Sequence, residues 1–186
     1  MPLSAETTRL VNAALYQAGW FACVLAAADG RGAAGAAVAA GLVAVHVVLS
    51  GDRRRDLGAM TGALGLGAAM EAGQIALGTY AQLGGAPPAV LPPTWLLLLW
   101  VHFGTTFRYG LRPVLARVWS AALFGAAGGP IAFVAGEGLG AVVLRRPLAT
   151  SLAALVTGWA LALALVAIWR RLDAGTPPPR YRWPWR

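Results

Sequence analysis

Few side chains in this sequence are equipped for chemistry, and those few lie inside long apolar runs. Glu71 sits in the run Leu57–Tyr80 and His102 in the run Pro93–Tyr109. A carboxylate and an imidazole in neighbouring helices are the pair that general acid/base work needs, one giving a proton while the other takes it. At 3.6 residues per turn, Gly67, Glu71, Gln74 and Gly78 fall on one helix face, and His102, Thr105, Thr106 and Tyr109 on another. Asn12, Gln17, His46 and Arg108 form a second layer: the last three lie about 8 to 12 Å from one edge of the apolar runs, with Asn12 shallower. A guanidinium beside amides and an imidazole matches phosphate or carboxylate in a bidentate way, so these four are expected to hold a lipid head group. Each also has a plainer role, with Arg108 snorkelling to the interface and the histidines hydrogen-bonded in the core. Two histidines and one glutamate at different depths have no metal-ligand spacing, so no metal is expected, and nothing in the spacing identifies a cofactor.

The elements that must position these residues follow from composition. The chain has 186 residues, of which 58% are hydrophobic and 12% charged, against about 45–50% apolar and about 25% charged in soluble domains. An ordinary soluble enzyme is excluded. A bilayer core of about 30 Å takes about 20 apolar residues as a helix, and six runs approach that: Leu10–Ala28, Ala33–Ser50, Leu57–Tyr80, Pro93–Tyr109, Val114–Ala135 and Pro147–Arg170. Leu91–Phe103 and Leu152–Trp169 are apolar all round, which a soluble bundle does not tolerate. The expected fold is therefore an all-α integral membrane protein. It is a six-transmembrane-helix bundle in one domain, residues 1–172, with a Pro/Arg/Trp-rich cytoplasmic tail, residues 173–186. Asn12, Tyr16 and Gln17 interrupt the first run, which is read as a retained helix and not a cleaved signal.

All 15 basic residues are arginine, and the net charge is +8. With six spans, 12 of the arginines fall on the side holding both termini and the second and fourth connectors, which makes that side cytoplasmic. Tyr80 and Trp95 then belong to the outer aromatic belt, Trp119 and Trp169 to the inner one. Cys23, the single cysteine, reads as a buried small hydrophobe. Gly58-x-x-x-Gly62 and Gly125-x-x-x-Gly129 predict close helix approach, and Gly128-Gly129-Pro130 predicts a kinked or broken fifth helix. The tail from Thr176 to Arg186, with its alternating Arg and aromatic residues, is suited to anionic lipid head groups and not to nucleic acid, given six spans upstream.

Several blocks together carry a resemblance: Asn12-Ala-Ala-Leu-Tyr-Gln17-Ala-Gly-Trp20-Phe-Ala-Cys23, His46 before Ser50, Leu91-Pro-Pro93-Thr-Trp95, Phe103-Gly-Thr105-Thr106, and Gly128-Gly129-Pro130 through Gly140. The chain resembles a bacterial domain-of-unknown-function family, number two-eight-seven-eight, over nearly its whole length. That resemblance implies a small multi-pass protein of the bacterial inner membrane with no agreed activity. Arg108 and Glu71 depart from the family pattern, so no family role is carried to them. Three functions stay open. The protein handles lipid, by modifying fatty-acyl or phospholipid chains or assisting an enzyme that does, with Glu71 and His102 as acid and base. Alternatively it is a small transporter or channel, or a structural subunit whose glycine-rich faces dock a membrane-protein partner or a second copy.

Overall fold

The computed structural model describes residues 3–82, 91–171 and 179–182. The glycine- and proline-rich connector at 84–88 and most of the expected tail, including Thr176 to Pro178 and Trp183 to Arg186, lie outside the described residues.

Six α-helices follow one another: α1 (Ala5–Ala28), α2 (Gly32–Leu49), α3 (Arg53–Ala76), α4 (Thr94–Gly104), α5 (Val118–Gly138) and α6 (Leu148–Arg170). Their starts have local causes. Ser4 Oγ accepts from Thr7 N ahead of α1, and the Asp52 side chain accepts from Arg55 N ahead of α3, each satisfying an orphan donor of the first turn. Pro93 and Pro147 precede α4 and α6, where a missing N–H costs nothing.

Four of the helices, α1, α2, α5 and α6, are long and apolar enough to cross a bilayer. Their outer faces stay apolar: Phe21, Leu25, Val38, Val45, Ile131 and Leu165 are all exposed. Contiguous apolar exteriors of that size belong against lipid, and the chain is a membrane protein. The other two helices depart from the expected uniform spans. Arg53, Arg54, Arg55 and Asp56 open α3 inside the helix instead of preceding it. In the run Pro93–Tyr109 the helix covers only Thr94–Gly104, about 16 Å at 1.5 Å per residue. Turns then carry the chain to a short 3₁₀ segment, Val114–Ala116.

The path alternates between two ends. At one end lie Leu3, the α2–α3 connector, residues 107–112 and Tyr181: Leu3 N donates to Tyr181 O at 2.9 Å, Arg182 N donates to Leu49 O at 2.8 Å, and Arg108 pairs with Asp56. At the other, strand β1 (Tyr80–Gln82) pairs antiparallel with β2 (Val142–Leu144), Tyr80 opposite Leu144. Val142 to Leu144 falls within the connector expected between the last two helices.

Small residues set which helices approach. A side chain on Gly104 of α4 would meet the backbone of Met60 on α3, and one on Gly125 or Gly129 of α5 would meet Trp159 of α6. The second expected pair does not behave so, because Gly58 and Gly62 face open space. The helix α5 is also unbroken: it runs through Gly128-Gly129-Pro130 to Gly138, with Pro130 inside it. Of the four aromatic-belt residues, Tyr80 and Trp95 are buried in the core, whereas Trp119 and Trp169 are exposed. Cys23 is fully buried, its Sγ 3.6 Å from Gly35 O.

Candidate functional site

The end where Leu3 and Tyr181 meet holds a buried polar cluster. Asp56, in the first turn of α3 and outside the apolar run, is 1% exposed. Its Oδ1 accepts from Arg108 Nη1 at 2.7 Å. Its Oδ2 accepts from Tyr109 OH at 2.7 Å and from Ser50 Oγ, and lies 3.3 Å from His46 Nε2. Burial alone would raise this carboxyl. His46 beside it and the hydroxyls of Ser50 and Tyr109 outweigh that and hold it below its ordinary 3.8. Arg108 also reaches Asp52 Oδ2 at 2.9 Å, so one guanidinium spans the N-cap and the first turn of α3.

Three of the four residues expected in a head-group layer meet here. His46 Nδ1 lies 2.7 Å from Tyr181 OH, and Asn12 Nδ2 donates to that same hydroxyl at 3.1 Å. Asn12 Oδ1 accepts from Gly110 N at 3.1 Å, and its Nδ2 also reaches Thr105 O. The phenol accepts from Asn12 and is hydrogen-bonded to His46 Nδ1, so the imidazole bridges Tyr181 on one side and faces Asp56 with Nε2 on the other. Gln17 is not part of the cluster; it is exposed on α1. Arg108 does not present a cation to a head group at this position, because two carboxylates already take its donors. The result is a closed lock around buried Asp56, in which His46 Nε2 lies beside the carboxylate without completing a hydrogen bond and Asp52 marks the half-exposed edge, and not an open anion site.

The sequence concealed three members of the lock. Asp56 read as connector, although an acid four residues after a capping Asp52 is an ordinary first-turn signal. Ser50 read as the end of a run. Tyr181 read as part of a surface tail, yet it is 0% exposed and packs with His46 and Tyr109 at ring separations of 5.5 and 5.0 Å.

Glu71 and His102 are each buried, at 0% exposure, but the structure does not bring them together by any hydrogen bond among the described residues. Glu71 accepts from Tyr80 OH at 2.8 Å and from Trp100 Nε1 at 3.0 Å. His102 lies two residues beyond Trp100, hence on nearly the opposite face of α4. It packs against Gly19 of α1 and edge-on to Tyr16, with a ring separation of 5.5 Å. The helix face of Glu71 is closely packed: Gly67 leaves room for the Trp100 ring, and Gln74 donates to Ala154 O at 2.9 Å.

A groove of about 820 Å³ lies between α1 and α5. Asn12, Tyr16, Gln17 and Trp20 line one wall; Gly125, Gly128, Ala132, Ala135 and Gly138 line the other; Phe103 and Trp159 form the floor. Glycine and alanine make up most of the α5 wall, with Phe124, Ile131 and Leu139 the larger side chains that border it. Residues Phe124 to Leu139 border it, a length of about 22 Å at 1.5 Å per residue. A narrower aromatic recess opens from the same Tyr16, Trp20, Phe103 and Trp159 toward Trp95, Trp100 and Phe133. Asn12, Gln17 and Thr106 gather amide and hydroxyl groups at one end, while along the rest only Tyr16, Trp20 and Trp159 add a polar atom to an otherwise apolar lining, so the groove suits a long apolar chain with a polar terminus.

A family model described as "Protein of unknown function (DUF2878)" matches residues 9–165. No curated protein and no solved structure matches the chain.

Proposed function

The chain belongs to that family of unknown function, DUF2878, and because membership assigns no activity, we propose from the groove that this membrane protein handles lipid by taking up an acyl chain. One observation carries the reading: a groove about 22 Å long, apolar along its walls and polar at one end, lies among helices able to cross a bilayer. Half of a bilayer core is about 15 Å, so a chain entering at one interface runs past the midplane within the groove. Whether the protein modifies the chain or presents it to an enzyme, the groove is the binding step.

Six passes with both termini in the cytoplasm support this placement. Leu3, the α2–α3 connector, residues 107–112 and Tyr181 share one end, as an even number of passes requires, and the arginine-rich segments are at that end. In the bacterial inner membrane expected from the resemblance, the polar end of the groove then faces the cytoplasmic leaflet.

The test is native mass spectrometry of the protein extracted from its membrane. We expect one retained acyl lipid per chain. In Gly128→Leu, where the added side chain starts beside only the Phe124 ring and enters the groove, the adduct is lost while the fold persists. An unliganded wild-type protein, or a Gly128→Leu variant that keeps its lipid, overturns the reading.

The helix α5 is continuous and no hydrogen bond joins Glu71 to His102 among the described residues, so this reading rests on the groove and assigns neither a transport step nor an acid/base step to that pair.

A further inference from the structure

No residue lining the groove, among those described, carries a charge. Its polar end is made of Asn12, Gln17 and Thr106, and two of these are already engaged. Asn12 gives its amide protons to Thr105 O and Tyr181 OH, and its Oδ1 accepts from Gly110 N. Thr106 Oγ1 donates its proton to Phe103 O at 2.7 Å. Gln17 differs from both: it is exposed, and its amide has no hydrogen bond among the described residues.

Gln17 stands within a helix able to cross a bilayer, eight residues beyond Arg9 and so about 12 Å further along the axis. An amide without a partner at that depth is costly, and such a residue points to a ligand. The lining limits what that ligand presents. A carboxylate or phosphate drawn in among uncharged walls leaves its charge unanswered, at far greater cost than a neutral oxygen. The route of entry points the same way, because Phe21, Phe124, Ile131 and Leu139 border the groove and are themselves exposed on the apolar exterior. The groove therefore opens sideways to hydrocarbon. Chains that arrive from that side belong to bilayer lipids, whose acyl groups are held in neutral ester linkage.

We propose that the groove's ligand is an esterified acyl chain of the bilayer, with Gln17 Nε2 donating to the ester carbonyl and the chain lying along α5 toward Leu139. The charged parts of such a lipid stay outside the groove. Head-group recognition thus leaves Arg108, which belongs to the lock, and a single amide on the groove wall reads the linkage instead. The proposal rests on the groove being a lipid site, and the experiment separates the two.

The probes are methyl 9,10-dibromostearate, 9,10-dibromostearate at a pH that keeps it ionised, and 9,10-dibromooctadecane, which has no oxygen. Each is titrated into the full-length protein in nanodiscs, with its concentration expressed as mole fraction in the bilayer. Bromine on a bound chain quenches Trp20 and Trp159, which border the groove. For wild type, we expect saturable quenching by the ester at a mole fraction about fivefold below that of the alkane, the strength of one neutral hydrogen bond, and at least tenfold below that of the ionised acid. In Gln17→Leu the ester falls to the level of the alkane, while the alkane titration stays within twofold of wild type. Wild type that binds the acid as tightly as the ester, or the alkane as tightly as the ester, overturns the assignment but leaves the groove standing, and these comparisons need no variant to fold. An ester preference over the alkane that survives Gln17→Leu also overturns it. If Gly128→Leu leaves all three titrations unchanged, the groove itself is not the lipid site.

Discussion

At the scale of residues, the lock at the shared end is governed by one carboxylate. Asp56 receives Arg108, Tyr109 and Ser50 and lies beside His46, all at or below 7% exposure. Removing one member of a buried ion pair leaves the other charge uncompensated, at a cost of about 3–5 kcal/mol. Asp56→Ala is therefore expected to destabilise the protein by about 3 kcal/mol, the low end because Asp52 still answers Arg108. The double variant Asp56→Ala/Arg108→Leu should recover a large part of that loss in thermal unfolding in detergent. A pH dependence follows from the same carboxyl. Its folded value lies below the ordinary 3.8, so it contributes stability that is present above pH 3.8 and is lost as the pH falls below it. Unfolding midpoints between pH 6 and pH 3 should drop more steeply for wild type than for Asp56→Asn, and parallel curves would refute the assignment.

At the scale of elements, small residues decide which helices approach. The two glycine pairs are alike in sequence but not in position. Gly125 and Gly129 make room for Trp159, whereas Gly58 and Gly62 have nothing within reach. Gly125→Ala forces α6 backbone to move and should cost about 1–3 kcal/mol. Gly62→Ala adds a methyl to open space and should be neutral or slightly stabilising, since Ala is favoured over Gly in a helix by about 1 kcal/mol. Paired thermal-shift measurements check this; equal effects at the two sites would show that the helix contacts are misassigned. The groove comes from the same economy, with Gly128, Ala132, Ala135 and Gly138 of α5 leaving volume that the larger bordering side chains do not fill.

At the scale of the whole molecule, the chain reverses so that Leu3, Ser50, Arg108 and Tyr181 collect at one end and Tyr80 and Leu144 at the other. Six passes predict opposite labelling of the two ends. In a Cys23→Ser background, a membrane-impermeant maleimide applied to intact cells should label Arg31→Cys and leave Arg54→Cys unlabelled, with the pattern reversed in inverted vesicles. Labelling of both from one side contradicts the six-pass reading. The short α4 does not count against it, because the turns from Thr105 to Pro113 extend the path at that end beyond the helix.

The sequence by itself determined that this is a helical membrane protein. Burial in lipid demands long apolar runs with internally satisfied backbone, and both demands are written locally. It also placed Gln17, His46 and Arg108 at a common depth, with Asn12 shallower, since depth is a count of residues from a helix end. Which of those residues meet was decided only by the tertiary structure. The sequence carried no sign that Asp56 and Tyr181 would complete the lock, 125 residues apart in sequence. Nor did it show that Glu71 would be held by Tyr80 and Trp100 while His102 turned toward α1. Rotation about a helix axis and the pairing of helices depend on side chains from several elements packing at once. A groove, being the volume left between elements, has no local signature in any of them.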